Sequence, residues 1–466
     1  MEKIRVGIPL YDESKLETTA SFPGIVNIKN LISEPLLRLY DGKIWSALAR
    51  SWQVFERGRR WLFYLSPNTL FNDSTPCTMI DVMDAVNHVR EAPDEFGLPS
   101  QFNEYLKNFE FSILNRYALQ ATCAVPSGDL GEILSSIPVL KKNRLDKYIV
   151  GTGNYKYASY WANRSVRLTK LPGLKHLSAY NQITFFIIPD AEERLEALRK
   201  GDVHIASELE TIADREKDKG PEWWWGCKTN QSVMGLLNAF CPPFNSPTAR
   251  RAVNLAVDAE RMIKEILGGY AFPSATVVSP YHCGYSNLLD PIPYDPALAR
   301  KLFSQVDTAR ELVITATRDF PPRSFEIADM IAEQLTDVGL KVRVDKYEDM
   351  YEYYRSVAAG TPGDIMLMWE TKNSTYRCLN DGISSRVKGP FWKGVEDETL
   401  QTLIDEANTE CDITERERKY ARTVTYLNKN PQWLYLYHPI TAYARTEGVE
   451  DVETLHTGEF RFPGAW

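Results

Sequence analysis

A strand, a helix and a second strand follow one another at Glu311–Thr317, Phe325–Val338 and Lys341–Lys346, with Gly339 placed to close the helix. This β-α-β order constrains the fold more than any other feature. It builds parallel sheets whose strand ends carry ligand sites. Asp364–Trp369 adds an apolar strand that stops at Glu370. Elsewhere the same alternation recurs without repeats or low-complexity tracts, which predicts a mixed α/β architecture. Ile4–Leu10 and Ile183–Ile188 read as buried strands. Trp52–Val54 and Trp61–Leu65 read as a hairpin turning at Glu56–Arg59, and Thr78 as the N-cap of a helix to Val89. Val26–Tyr40 has helical spacing broken by Pro35. Ala191–Lys200 reads as a helix closed by Gly201, and Thr248–Leu267 as one long helix closed by Gly268-Gly269.

The 466 residues exceed what one hydrophobic core holds, since cores stop growing at roughly 250–300 residues, so two or three lobes are expected. With 54 Lys+Arg against 62 Asp+Glu the net charge is −8, which argues against nucleic acid or an anionic membrane as the main partner. A local basic pocket stays compatible with that balance. Seven scattered cysteines and six scattered histidines show no metal-ligand spacing, so neither a metal nor a cofactor is expected. The odd cysteine count leaves at least one thiol, and spacing alone does not decide whether any pair is a disulfide. No apolar run approaches the length of a membrane span. Met1-Glu2-Lys3 runs directly into a strand with no signal peptide, which fits a cytoplasmic protein or a mature extracytoplasmic chain.

Ordered blocks then point to a family. Glu34-Pro35-Leu36 is followed by Leu48-Ala49, Ser51-Trp52, Trp61-Leu62-Phe63-Tyr64-Leu65 and Asp81-Val82. Gly151-Thr152-Gly153-Asn154-Tyr155 comes next, then Ile188-Pro189-Asp190 through Gly201-Asp202-Val203. Pro243-Phe244-Asn245, Tyr294-Asp295-Pro296 and the stretches Leu403–Ala407 and Leu434–His438 complete the series. Together they resemble the family 5 solute-binding proteins of ABC importers, the oligopeptide, dipeptide and nickel-type receptors. The chain departs from the pattern at Ser66, Asp73-Ser74, Met79, Asn154 and His204.

The resemblance implies a periplasmic-binding-protein-like two-lobe cleft fold with an inserted accessory lobe, of the cluster C type. Lobe I would take 1–38, 150–231 and 437–466, the accessory lobe 39–149, and lobe II 232–436. It further implies a monomeric, non-catalytic receptor, periplasmic or otherwise extracytoplasmic. Such a receptor closes over a small solute and delivers it to the permease subunits of an ABC importer. A peptide receptor of the same family and a ligand sensor without transport stay open as alternatives. An enzyme of glycosidase type is the weaker reading, because no nucleophile elbow, zinc-protease motif, P-loop or Rossmann glycine triplet occurs.

The resemblance also proposes ligand contacts. Trp369 stands where the family has a pocket-lining tryptophan, against the alternative of a core ring. Lys372 takes the place where peptide binders carry an aspartate for the α-amine, so the solute is expected to be anionic or a sugar-like, opine-like conjugate. A solvated loop lysine is the plainer alternative. Arg377 and Arg386 are further cations nearby, and Phe102 and Phe22 are candidate cleft walls. Val139 fills the slot of a chelate-gripping arginine in nickel binders, which weakens that ligand class. Trp223-Trp224-Trp225 is expected to pack between lobes, and Tyr351, Tyr353 and Tyr354 cannot all face one way on a short helix.

Overall fold

A computed structural model describes residues 2–172, 179–360 and 362–464. It divides the chain into two compact units, unit 1 comprising Met1–Cys227 with Thr441–Trp466 and unit 2 comprising Lys228–Ile440. His176 lies outside the described residues. The chain therefore changes unit twice, at 227–228 and at 440–441.

Unit 1 is built on β1 (Lys3–Ile8), whose apolar residues Ile4 and Val6 are fully buried while Lys3 and Arg5 face outward. The helix α1 (Pro23–Ile32) follows with proline in its first turn, a position where the missing N–H costs nothing. Pro35 lies outside it, and the chain continues as a strand at Leu37–Tyr40, so the helix ends about two turns before the end of the stretch with apolar helical spacing.

Strands β2 (Ala49–Phe55) and β3 (Arg60–Leu65) form the expected hairpin, with Glu56 and Arg57 at positive φ in the turn. Along β3, Trp61, Phe63 and Leu65 are buried and the residues between them are not, the period of two that a sheet covered on one face requires. The helix α2 (Met79–Glu91) starts with a capping box between Thr78 and Asp81. With β4 (Phe109–Asn115) and β5 (Ala118–Cys123) the hairpin completes a four-stranded antiparallel sheet in the order β2-β3-β5-β4.

The larger sheet of unit 1 adds β6 (Tyr155–Trp161), β7 (Ser165–Lys170), β8 (Gln182–Ile187), α3 (Ala191–Arg199) on its flank and β9 (Ile205–Ala206). Its order is β6-β7-β8-β1-β9, with β1 parallel to both β8 and β9. Gly201, at φ +78°, ends α3 as expected, because the left-handed region costs glycine no Cβ clash.

Unit 2 begins at Lys228, the last residue of β10 (Trp223–Lys228), and continues into β11 (Ser232–Leu237), all six of whose residues are buried. Sequence spacing predicted one helix over 248–267, but the structure has two, α4 (Pro247–Ala256) and α5 (Ala259–Glu265). The break is caused by Asp258. Its carboxylate accepts from the Arg261 N–H as an N-cap, while its own N–H donates to the Gln334 Oε1 at 2.7 Å. The expected β-α-β unit is β12 (Leu312–Thr317), α6 (Ser324–Asp337) and β13 (Val342–Tyr347), with β12 and β13 parallel. Then come α7 (Met350–Ala359), β14 (Ile365–Glu370) and α8 (Thr375–Gly382).

In this sheet β14 lies between β11, antiparallel, and β12, parallel. The core beneath it gathers Leu237, Phe244, Val253, Ile314, Ile331, Leu367 and Leu434, all nearly inaccessible. The last long strand, β15 (Leu434–Arg445), pairs with β11 inside unit 2 and with β9 inside unit 1. Among the described residues there is no disulfide, and no helix is long and apolar enough to cross a membrane.

Candidate functional site

Four residues of β14, Ile365–Met368, are buried, and the strand opens only at Trp369 and Glu370. Burial on both sides fixes the direction in which the following turn leaves the sheet. At Ser374 the turn becomes α8, the Ser374 hydroxyl accepting from the Arg377 N–H. Everything between is thus held at the carboxyl end of a central strand, the usual ligand position in open α/β sheets.

Trp369 packs partly against the unit 2 core and makes a 4.8 Å ring contact with Phe320. Its backbone N–H donates to the Tyr354 hydroxyl at 3.3 Å. Its indole N–H is buried and has no hydrogen-bond partner among the described residues. An unmet buried donor costs about 1–3 kcal/mol, so its presence beside a strand end marks a place where an added acceptor is rewarded. Tyr354 continues the aromatic wall toward Phe391. Tyr353 and Tyr354 are both buried, and the Tyr353 hydroxyl lies 2.9 Å from the carbonyls of Thr315 and Leu367, tying α7 to two strands.

Lys372 is not a lone cation. Its Nζ lies 3.0 Å from Glu370 Oε1 and 3.6 Å from Asp381 Oδ2, and its side chain is 11% exposed. Arg377 Nη2 is also 3.6 Å from Asp381 Oδ2, one helical turn away on α8. Two cations and two carboxylates therefore balance in a nearly closed cluster. Buried charges of this kind persist only when paired, because their desolvation costs several kcal/mol each.

The backbone of the cluster is pinned from a distant loop. His282 Nδ1 accepts from the Ser279 N–H at 3.2 Å, which leaves the proton on Nε2, and Nε2 donates to the Lys372 carbonyl at 2.8 Å. Thr375 hydrogen-bonds the Cys283 carbonyl at 2.7 Å, and Asn230 donates to Asn373 at 2.7 Å. Cys378 sits beneath, where burial pushes its thiol well above the usual range and keeps it protonated.

Lys372 and Arg377 thus share Asp381, and Trp369 lies at the strand end that leads into their turn. Arg386 is 71% exposed and paired with Asp405 on the helix α9 (Glu398–Asn408). Phe22 and Phe102 belong to unit 1. Phe22 is the residue before α1 and meets Phe96 edge-on at 6.0 Å. Phe102, on the helix Gln101–Leu106, is 2% exposed against Tyr105. Val139 is buried in unit 1 as well. Of the three tryptophans of β10, Trp225 stacks on Tyr443 at 5.1 Å within unit 1 and Trp223 is exposed.

Sequence reasoning missed Glu370, Asp381, Phe320 and His282. The Asp381 pairing was legible as an i,i+4 partner of Arg377 on a helix. His282 had no signal, since it is 90 residues from the carbonyl it holds.

A family model described as bacterial extracellular solute-binding proteins, family 5 middle, matches residues 43–375. The chain belongs to this family. Curated relatives of this family 5 protein include a glutathione-binding protein, GsiB, of Salmonella paratyphi A, 23% identical over 318 residues that make up 65% of this chain and 61% of the relative. A di/tripeptide-binding protein of Pseudomonas aeruginosa is 23% identical over 66% of this chain and 60% of its own length. The chain thus matches about three-fifths of the length of these relatives.

Among solved structures, the fold is shared with AgaA of A. tumefaciens in complex with agropinic acid, at TM-score 0.80, 20% identity and coverage of 99% of this chain and 98% of that one. It is shared too with NikZ of Campylobacter jejuni in complex with Ni(L-His), at TM-score 0.79, 17% identity, and 98% and 97% coverage. The expected binding-protein fold is therefore the observed one.

Proposed function

We propose that this chain is an extracytoplasmic receptor that captures a small solute and hands it to the permease subunits of an ABC importer. The solute is proposed to be an anionic or sugar-like conjugate, held at the carboxyl end of β14. The observation that carries this reading is the unmet, buried indole N–H of Trp369 at a strand end that also carries Lys372 and Arg377. An oxygen acceptor on the solute satisfies the indole. A carboxylate or phosphate competes with Glu370 and Asp381 for the two cations, and each charge-assisted hydrogen bond it wins is worth about 1.5–3 kcal/mol. Capture is proposed to proceed by closure of two lobes, with 39–149 as an accessory lobe, and is read as a smaller radius of gyration in solution scattering when solute is added.

A second reading rests on the carboxylates. Glu370 and Asp381 could take the α-ammonium of a peptide if Lys372 turned away, and two curated relatives are named for glutathione and for di/tripeptides. Calorimetry decides between the two. Wild-type protein is titrated with agropinic acid and anionic sugar conjugates beside glutathione and plain dipeptides, and Lys372→Gln and Lys372→Asp are run in parallel. On the first reading dipeptides are ignored, Lys372→Gln weakens the anionic solute and Lys372→Asp abolishes its binding. Micromolar binding of a plain dipeptide, undiminished in Lys372→Asp, would replace it with the second.

A further inference from the structure

Unit 1 has a chemically different concavity, on the face of its sheet opposite the buried core. Alternation along the strands creates it. On β1, Ile4 and Val6 point into the core, so Lys3 and Arg5 take the other face. On β7, Val166 and Leu168 are buried, so Ser165 and Arg167 do the same. The register then brings them together. Arg5 and Arg167 both stand beside Thr184 of β8, one on each flank, and Lys3 stands beside Gln182. The β6–β7 turn, with Asn163 at φ +55°, delivers Arg164 to the rim, where its guanidinium lies 4.5 Å from the ring centre of Trp161.

Together these residues line a cavity of about 610 Å³. That is the size of a small-molecule site. Four cations line it and no carboxylate does. Among the described residues none of the four makes an ion pair, although the chain as a whole is acidic and many of its other cations are paired. Arg5 is held in place by two backbone carbonyls, of Asp202 and Gly201, each at 2.7 Å. Those contacts orient its guanidinium without cancelling its charge. Trp161 is 64% exposed at the rim, an unusual position for an indole with no partner ring.

We propose that this concavity is a second binding site, one that takes a phosphate-bearing ligand. Four uncompensated cations on one cavity exceed what a single carboxylate neutralises. A phosphate carries up to two charges and several acceptor oxygens, which suit guanidinium forks arranged around it. The Thr184 and Ser165 hydroxyls add neutral donors at the floor, and the exposed indole offers a flat surface to whatever the phosphate is attached to. The same chemistry is presented by a soluble phosphate ester and by a phospholipid headgroup, for which a basic cluster beside an exposed tryptophan is also suited.

The test uses the whole chain, wild type against Arg164→Gln/Arg167→Gln and against Trp161→Ala. All three positions are exposed, and an unchanged melting temperature verifies that each variant folds. Each protein is titrated calorimetrically with glycerol 3-phosphate and sedimented with phosphatidylcholine vesicles prepared with and without phosphatidylglycerol. The site is expected to bind at least one of these probes, more weakly as salt is raised, with affinity falling about tenfold to a hundredfold in the double arginine variant. Binding of glycerol 3-phosphate that is lost in that variant assigns a soluble ligand. Binding only to phosphatidylglycerol vesicles, lost in the arginine variant and weakened in Trp161→Ala, assigns a headgroup. Wild-type protein that binds neither probe, or a double variant that binds as well as wild type, overturns the proposal.

Discussion

In unit 2, β14 runs out into Glu370, Lys372, Arg377 and Asp381, four nearly closed charges that neutralise one another. In unit 1, β9 runs out into Glu208 and Glu210, with Arg194 of α3 as the nearby cation. That arginine is committed to the backbone, donating to the carbonyls of Ile188, Pro189, Ser207 and Glu208 at 2.6–3.0 Å. Burial, and secondarily Glu210, therefore pushes the Glu208 carboxyl up to about 7, and burial raises Glu210 as well. Glu208 also sits at φ +53°, a strained position for a residue with a Cβ. Similar strand ends thus manage charge in two ways, one by pairing and one by holding a proton. Pairing makes a cluster sensitive to the loss of any member, whereas proton-holding makes stability sensitive to pH.

The contrast is broken hardest at Asp381. Asp381→Ala removes the shared counter-ion of Lys372 and Arg377 and leaves a buried guanidinium without its carboxylate. Urea unfolding should show a loss of about 3–5 kcal/mol. A loss below about 1 kcal/mol, the range of an exposed pair, would mean that the cluster is open to solvent.

Trp369→Ala comes next. If the ring serves chiefly the solute, binding weakens by roughly 2–4 kcal/mol while the fold survives. The ring's partial packing on the unit 2 core sets up the opposite outcome, a stability loss of about 3–5 kcal/mol with affinity per folded molecule unchanged. Thermal melts paired with calorimetry separate the two.

For unit 1 the sign follows from linkage. The folded carboxyl of Glu208, at about 7, binds its proton more tightly than the unfolded one at 4.5, so between those values the native state holds more protons. Stability from this group is therefore lost as pH rises through that window. Glu208→Gln should be more stable than wild type by about 1–3 kcal/mol at pH 8, with the advantage shrinking toward pH 4.5. An advantage that is the same at both ends of the pH series would assign the effect to packing or to the backbone.

Arg386→Ala sharpens the comparison from the other side. Its pair with Asp405 is a surface one, and its loss should change stability by less than about 0.5 kcal/mol and leave solute binding unaltered. Any clear loss of affinity would bring Arg386 back to the site.

Much of the fold was legible because local chemistry and global packing agree. Thr78 caps its helix, Gly201 and Gly339 end theirs, and the β-α-β unit of unit 2 lies within a residue or two of its reading. The long helix over 248–267 failed because its interruption depends on Gln334, which is 76 residues away and accepts the Asp258 N–H. Trp369, Lys372 and Arg377 could be proposed as neighbours because they follow one strand in sequence. Phe102, which the resemblance made a cleft wall, is interior, and Arg386, proposed as a further cation nearby, is exposed.

By itself the sequence determined the family, the α/β class and the strand on which the candidate site ends, because periodicity, caps and ordered motifs are local properties. The resemblance also proposed Lys372 for the place where peptide binders keep an acid, with a solvated loop lysine as the alternative. Only the tertiary structure decided that this lysine is already countered by Glu370 and Asp381, that His282 holds its carbonyl, and that Lys3, Arg5, Arg164 and Arg167 share one cavity. Glu370 and Asp381 stand close to Lys372 in sequence, yet the turn that brings them within 3.0 and 3.6 Å of it is held by His282 from another part of the chain, and strand register, not spacing along the sequence, gathers the four cations of unit 1.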